Sequence, residues 1–380
     1  MGQIQKKQII KMEKIKDLKK FFKEDEIDGY IIPKNDEFFG EYIPDYNDRL
    51  NFITQFSGSY GFALILKEEN FLFVDGRYSL QAKNQSGKSF NIITIPDKMP
   101  CEILKEKKLT IGFDPNLFTK KSLTIFFGKS ECTYKPIFKN LIDKIWKRKI
   151  KKIESKFFIL PGKSVSEKHQ SKIKKIIDHL KGKKSDFLFI SASENNAWLL
   201  NIRGRDTKYT PIPHSYILIG KNKNIKFFCN LKKISLKFKK YFNQVEFIDI
   251  RKCDKILSEI KKKKFIIDKN SCSYYFENII SKNNKIIDFY DPIYFFKAVK
   301  GKEEIENIKR AHVSDGVALT KYLFWLKKNF YRKNVTEISA AQKLLKFRKK
   351  NKKFKFLSFP TISGTGPNGA IIHYKPTKKT

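Results

Sequence analysis

The stretch FPTISGTGPNGAIIHY, residues 359–374, joins a glycine-rich turn to a short apolar run that carries one histidine. Pro367 presets its own φ for a turn, and Gly369 can take a positive φ. The AIIHY run then predicts a β-strand in which Ile371 and His373 share one face. A histidine on a strand face is more often structural than catalytic, so these residues by themselves give only a weak site prediction.

The composition indicates a folded globular protein without membrane spans. The chain has 380 residues and a hydrophobic fraction of 41%, which is enough for two or three domains with buried cores. No window of about 18 apolar residues occurs, and the first residues lack a signal-peptide pattern. The five cysteines are scattered singly, as is typical of free thiols in a reducing compartment. We therefore expect a cytoplasmic protein.

The formal net charge of +41 raises the question of nucleic-acid binding. Of the 80 basic residues, 71 are lysine and nine are arginine, and they are spread over every segment. Nucleic-acid readers instead concentrate arginine and lysine on one face. The pattern therefore argues against specific nucleic-acid binding, although salt-sensitive adhesion to polyanions is compatible with it.

Short apolar runs alternate with helical patterns along most of the chain, which predicts an α/β fold. The first region, residues 1–155, supplies the runs YIIP (30–33), FALIL (62–66) and FLFVD (71–75), the last two joined by a KEEN turn. The second region, residues 156–296, repeats this style with DFLFI (186–190), SYILIG (215–220), KFFCN (226–230) and KFIIDK (264–269). Its helix over residues 165–181 has Ser166 as the expected N-cap.

The third region, residues 297–380, begins with two helices. A stripe of seven residues recurs at steps of three and four, which predicts one long helix with an apolar face: Ile305, Ile308, His312, Gly316, Leu319, Leu323 and Leu326. His312 lies on this stripe, so we expect it in the core. Thr336 is the expected cap of the second helix.

No complete catalytic centre is evident from the residues themselves. HExxH, GxSxG, paired cysteines and a compact carboxylate cluster do not occur, and SGTGPNG lacks the GK[ST] ending of a phosphate-binding loop. The histidines at 169, 179 and 214 have polar neighbours and no second ligand at metal spacing. These histidines are therefore weaker candidates than His373, whose own signal is weak.

Four segments together resemble the three-domain Xaa-Pro aminopeptidases. FPTISGTGPNGAIIHY and the preceding KAVKGKEEIENIKRAHVSDGVALTKYLFWL (297–326) resemble that family's peptidase domain. AWLLNIRGRDTKYTPIPHSYILIG (197–220) resembles its second domain, and the stretch 28–66 with FVDGRYSLQA (73–82) resembles its first. The resemblance implies two creatinase-like α/β domains followed by the beginning of a pita-bread α+β metallopeptidase domain.

The resemblance also implies a function. Family members remove the N-terminal residue from peptides whose second residue is proline, typically with a hydroxide held by two Mn²⁺ ions. His373 corresponds to the family histidine that lines the substrate pocket. The substrates implied are proline-containing peptides, and a homodimer is compatible with the resemblance.

This sequence departs from the family pattern in its metal ligands. The family's Asp, His and Glu ligands follow the GPNGAIIHY motif, whereas Thr380 ends the sequence soon after it. We therefore expect a truncated metallopeptidase domain that lacks every metal ligand, leaves apolar helix faces uncovered and has no activity by itself. The alternative is a non-catalytic creatinase-fold module that binds peptides or proteins.

Overall fold

A computed structural model describes residues 3–148, 155–331 and 334–378, with side chains described from Lys11 onward. The chain divides into two compact units, of which the first comprises residues 1–159 with 169–297 and the second comprises residues 160–168 with 298–380. The boundary predicted at 155/156 adjoins residues 149–154, which lie outside the described residues. The three predicted domain limits stay predictions.

The first unit contains a six-stranded sheet formed by the predicted apolar runs. Its strands are β1 (Gly29–Pro33), β2 (Phe62–Leu66), β3 (Asn70–Asp75), β4 (Asn91–Ile95), β5 (Thr110–Phe113) and β6 (Thr133–Pro136). The strand order is β4-β3-β2-β1-β5-β6. The antiparallel β2–β3 pair confirms the hairpin predicted at KEEN, while β1, β5 and β6 run parallel.

A second six-stranded sheet in the same unit repeats this topology. Its strands are β8 (Phe187–Ile190), β10 (Ser215–Gly220), β11 (Ile225–Cys229), β12 (Val245–Asp249), β13 (Lys264–Ile267) and β14 (Lys285–Asp288). Two short strands, β7 (Phe158–Ile159) and β9 (Ile202–Arg203), form a separate antiparallel pair. The order is β12-β11-β10-β8-β13-β14. Each neighbouring pair has the same parallel or antiparallel sense as its counterpart in the first sheet. The predicted similarity of the two regions is thus a repeated fold.

Helices cover both faces of each sheet, and for this reason the strands read as continuous apolar runs. Two separate core clusters flank each sheet. The helices of the first unit are α1 (Gln3–Lys19), α2 (Phe21–Glu24), α3 (Arg49–Thr54), α4 (Ser79–Ser86), α5 (Pro100–Ile103), α6 (Lys120–Phe127), α7 (Leu141–Ile145), α8 (His169–Gly182), α9 (Ser193–Leu199), α10 (Leu236–Tyr241), α11 (Cys253–Glu259), α12 (Tyr274–Asn283) and α13 (Ile293–Ala298). Among the described residues, no helix has the length and apolar character to cross a membrane.

The loop after β1 joins the two halves of the first unit. The hydroxyl of Tyr216 donates a hydrogen bond to the backbone oxygen of Glu37 at 2.8 Å. The ring of Phe38 stacks on His214, with 4.0 Å between ring centroids. Burial lowers the pKa of His214 to about 4, so this imidazole is neutral at physiological pH and packs as an aromatic ring.

A buried charge network holds the same loop. Arg49 is 3% exposed and contacts two carboxylates: Nε and NH2 donate to Asp143 at 2.8 and 3.0 Å, and NH2 donates to Glu37 at 2.7 Å. Asp36 is 1% exposed, and its Oδ1 accepts a hydrogen bond from the backbone of Phe38 at 3.0 Å. Burial and the neighbouring Glu37 raise the pKa of Asp36 to about 7.

We expect the Asp36→Asn variant to lack a pH-dependent loss of stability that the wild type shows. Because the pKa of Asp36 is higher in the folded chain than in the unfolded chain, its contribution to stability is present at low pH and is lost as pH rises toward 7. The free energy of unfolding of the variant, relative to that of the wild type, should therefore be about 2–3 kcal/mol higher at pH 8 than at pH 5. Urea unfolding at both pH values measures this difference. An unchanged difference across that range would contradict the assignment.

The second unit is built on two helices, α14 (Lys302–Asn329) and α15 (Glu337–Arg348). Small side chains are buried on both, Ala318 on α14 and Ala340 on α15. A bidentate ion pair links the helices, with Nε and NH2 of Arg348 donating to the carboxylate of Asp315 at 2.6 and 2.9 Å. Thr336 caps α15 as predicted, because its side chain accepts a hydrogen bond from the backbone of Ser339 at 3.1 Å.

Ser166 does not cap the helix for which the sequence predicted it. That helix, α8, begins at His169. The hydroxyl of Ser166 instead accepts a hydrogen bond from the backbone N–H of Glu304 at 3.3 Å, and Asn307 donates to the backbone oxygen of Lys163 at 2.8 Å. The prediction was wrong because α8 begins three residues after Ser166, and the Ser166 hydroxyl binds α14 instead. Gly301, the N-cap of α14, has no side chain that could accept a hydrogen bond from the first backbone N–H groups of that helix. Ser166 supplies the cap from a segment distant in sequence.

The predicted apolar stripe of α14 forms, but much of it is exposed. Ile305, Ile308, Leu319 and Leu323 have exposed fractions of 42, 44, 41 and 53%. His312 is also exposed, so its assignment to the core was wrong. Helical periodicity identifies a face of the helix but not what covers it. Among the described residues of the second unit, the face with His312 is exposed.

Candidate functional site

The candidate site is organised by the first residue of α15. Thr336 and Ser339 form a reciprocal capping box that fixes where the helix begins. Glu337 follows the cap directly and is 8% exposed. Its acidic side chain lies in the first turn, where the helix dipole favours negative charge. Local capping thus positions one buried carboxylate.

Glu337 binds the segment quoted at the outset at three residues between Thr365 and Tyr374. Its Oε1 accepts hydrogen bonds from the backbone N–H of Thr365 at 2.7 Å and from Asn368 Nδ2 at 3.1 Å. Its Oε2 accepts one from the hydroxyl of Tyr374 at 2.7 Å, and Tyr374 is buried. The Tyr374 hydrogen bond, with those from Asn368 and Thr365, lowers the pKa of Glu337. An ionised carboxylate therefore fastens the segment to α15.

The segment is a turn, as predicted, but it contains no strand. Gly366–Ala370 forms a short 3₁₀ helix, with Asn368 N donating to Thr365 O and Ile371 N donating to Asn368 O, both at 3.2 Å. The positive φ falls on Gly366, at +53°, rather than on Gly369. The strand predicted for AIIHY was wrong: a strand needs a hydrogen-bonded neighbour, and within the described residues this run has none.

His373 is presented at the end of this turn. Its backbone is left-handed, with φ at +52°, and its side chain is exposed while the adjacent Tyr374 is buried. Positive φ is uncommon outside glycine and costs free energy, although histidine is among the residues that adopt it more often. The bonds of Glu337 to Tyr374 and Asn368 hold the backbone on either side. The geometry therefore fixes the backbone around His373 and leaves its imidazole accessible.

The residues that the structure describes do not fit a dinuclear metal centre. In the described part of the chain, no group of three or more His, Cys, Asp or Glu side chains is arranged to hold a metal ion. His312 belongs to the same unit as His373 but lies on the exposed face of α14. The three remaining histidines belong to the first unit, where each contacts an aromatic ring: His169, His179 and His214. In the described part of the second unit, the candidate site therefore consists of an accessible imidazole on a Glu337-bound turn.

Sequence reasoning missed Glu337. The only local signal is an acidic residue after a helix cap, and that pattern is fully explained by the helix dipole. Its three partners are 28 to 37 residues away in the chain. The Asp315–Arg348 pair, separated by 33 residues, was missed for the same reason.

Family models match three successive parts of the chain. Residues 14–126 and 148–304 each match a Creatinase/Prolidase N-terminal domain, and residues 306–380 match Metallopeptidase family M24. The first creatinase-type match contains β1–β5 of the first sheet, and the second contains all six strands of the second sheet. The M24 match contains α15 and the Glu337-bound turn. Together they define the class: a protein with creatinase-like α/β domains and an M24 pita-bread domain.

Three relatives refine this class. Xaa-Pro aminopeptidase 1 of Dictyostelium discoideum is 32% identical over 97% of this chain and 62% of its own length. A probable Xaa-Pro aminopeptidase P of Laccaria bicolor is 31% identical over 96% and 59%. The crystal structure of an X-prolyl aminopeptidase from Caenorhabditis elegans, described as a cytosolic enzyme with a di-nuclear active site, superimposes with a TM-score of 0.90 at 27% identity, covering 97% of this chain and 64% of that one.

The chain belongs to the Xaa-Pro aminopeptidase family, as the sequence predicted. It spans between 59% and 62% of the length of the two curated relatives. For this reason the activity of the full-length relatives is only proposed for this chain.

Proposed function

We propose that this chain is part of an Xaa-Pro aminopeptidase that removes the N-terminal residue from peptides with proline in the second position. The observation that carries the proposal is the turn over residues 363–374, held by Glu337 within the M24 match. The names of the similar Dictyostelium and nematode proteins support the substrate class.

In this proposal His373 binds substrate. Its accessible imidazole donates a hydrogen bond to the substrate carbonyl or to the oxyanion that develops from it, an interaction strongest when negative charge accumulates. Glu337 acts as a positioning residue, because it fastens Asn368 and Tyr374 around the histidine. The left-handed backbone at His373 is compatible with a site whose geometry is imposed by its surroundings.

We also propose that the whole enzyme uses two divalent metal ions, which by analogy with the family are Mn²⁺. The nematode relative is described as having a di-nuclear active site, whereas the described residues here supply no such ligand set. We propose that the ligands come from parts of the metallopeptidase domain outside these residues, so that the 380-residue chain by itself is inactive. A cytoplasmic location and a homodimer also stay predictions, the former supported by the cytosolic description of the nematode enzyme.

A second candidate function is a non-catalytic peptide-binding module. The observation that favours it is the complete pair of creatinase-like sheets alongside described residues that form no metal cluster. Such a module would bind proline-containing peptides without cleaving them. Turnover therefore separates the two functions.

The test of the proposed function is an assay of the natural protein, isolated with an antibody against this chain. We expect Mn²⁺-dependent release of the first residue from an Xaa-Pro peptide and none from the matched Xaa-Ala peptide. A metal chelator should abolish the release. Binding of the Xaa-Pro peptide without cleavage would instead establish the non-catalytic module, and equal cleavage of both peptides would contradict the substrate class.

A further inference from the structure

One surface of the second sheet concentrates positive charge in a depression. The chain entering β13 and the junction between the end of α12 and the start of β14 together line an open depression of about 530 Å³. Five of its lining residues are exposed lysines, and the others are serine or asparagine: Lys262, Lys263, Lys264, Lys282 and Lys285, with Ser281, Asn283 and Asn284. No carboxylate lines it. We call these five residues the lysine depression.

The backbone beneath these lysines is cross-linked. Lys262 N donates to Asn283 O and Lys285 N donates to Lys263 O, both at 2.9 Å. Asn284 accepts a hydrogen bond from Lys263 N at 3.0 Å and donates to the backbone oxygen of Ile260 at 2.8 Å. The positions at which the lysines emerge are therefore fixed, so a ligand would not have to order the loops.

Within the described residues, no ion pair involves the five lysines. The neighbouring carboxylate of Asp186 is paired with Lys221 at 2.8 Å and also interacts electrostatically with Lys263. Lys264 and Lys285 lie opposite each other in the parallel β13–β14 register, an arrangement of like charges that is unfavourable unless an anion screens it. Lys282 complements the C-terminus of α12, and Lys285 protects an edge strand. Those roles leave the three consecutive lysines unexplained.

We propose that the lysine depression binds a compact anion that carries several phosphate groups. Ammonium groups bind phosphate oxygens through short charge-assisted hydrogen bonds. No aromatic side chain lines the depression, so bases have nothing to stack on and single-stranded nucleic acid is disfavoured. No large apolar side chain lines it either, so it offers nothing to insert into a lipid bilayer. This binding site is independent of the proposed peptidase site.

The probe is inorganic tripolyphosphate, titrated into the 380-residue chain by calorimetry. We expect saturable binding at a single site. The Lys262→Gln, Lys263→Gln, Lys282→Gln triple variant keeps every backbone hydrogen bond and should bind at least about tenfold more weakly. The matched control is Lys237→Gln, Lys239→Gln, Lys240→Gln, which removes the same charge from exposed positions on α10 and should change affinity less than about twofold.

Thermal unfolding of the two triple variants verifies that each is folded. If the triple variant of the lysine depression is unfolded, the single variants Lys282→Gln and Lys239→Gln replace the two triple variants. A larger loss of affinity in Lys282→Gln than in Lys239→Gln supports the site. Equal losses in the two triple variants would overturn it, because affinity would then follow net charge alone. Absence of saturable tripolyphosphate binding would overturn it too. So would tighter, depression-dependent binding of an oligonucleotide or of anionic vesicles.

Discussion

In the whole protein, the His373→Ala variant is expected to lower kcat on an Xaa-Pro peptide by about 10²- to 10³-fold, with a much smaller change in KM. Removing one hydrogen-bond donor to a developing oxyanion has an effect of this size. A smaller effect on KM is expected because the interaction strengthens only as charge develops. The imidazole is exposed, so its removal creates no cavity and the fold should be retained.

His312→Ala is the matched control for this prediction. His312 is an exposed histidine of the same unit, on α14, and its removal should leave kcat within about twofold of the wild type. His373→Asn should recover part of the rate, because asparagine tolerates the left-handed backbone and offers an amide donor. Equal activity of His373→Ala and His312→Ala would refute the role proposed for His373.

The Arg49→Met variant should destabilise the first unit by about 3 kcal/mol, because removing one partner of a buried ion pair leaves charge without compensation. Arg49 is nearly fully buried between Glu37 and Asp143. The two carboxylates are about one-third exposed, at 33% and 35%, which places the effect at the low end of the range for buried pairs. Urea unfolding should show a midpoint lower by roughly 1 M.

Lys67→Met provides the comparison for Arg49→Met. Lys67 forms an ion pair with Asp28 at 2.6 Å, but its side chain is 61% exposed, and exposed pairs contribute at most about 1 kcal/mol. The two variants should therefore differ clearly in unfolding midpoint. A similar small shift in both would show that the Arg49 network does not stabilise the loop after β1.

The repeated sheets could be predicted from sequence because their signal is local. FALIL and FLFVD are apolar and β-branched or aromatic throughout, as strands buried on both faces must be. The intervening KEEN residues gave the hairpin, which β2 and β3 confirm. The strands of the second sheet followed from the same kind of runs, although sequence could show neither the strand order nor the sense of each neighbouring pair.

The errors arose where the partner is distant in sequence. AIIHY has the alternation of a strand but no neighbouring strand within the described residues, so it turns instead. Ser166 has the chemistry of a cap, but it caps α14 rather than the helix that follows it. His312 follows the helical period, but periodicity does not say that anything packs on it.

Of the two main residues of the candidate site, the sequence predicted His373 but not Glu337. His373 was singled out through a resemblance carried by GPNGAIIHY, and its role stays a prediction. Glu337, which fixes the turn, has no sequence signal beyond its place after Thr336, because its bonds to Thr365 and Tyr374 form only in the folded unit.

Our proposal places the metal ligands in a part of the protein other than the described residues that contain the His373 turn. Its most direct test measures release of the N-terminal residue from an Xaa-Pro peptide by the purified 380-residue chain with Mn²⁺, beside the natural protein as positive control. We predict release by the natural protein and none by the 380-residue chain. Chelator-sensitive release by the 380-residue chain would contradict the claim.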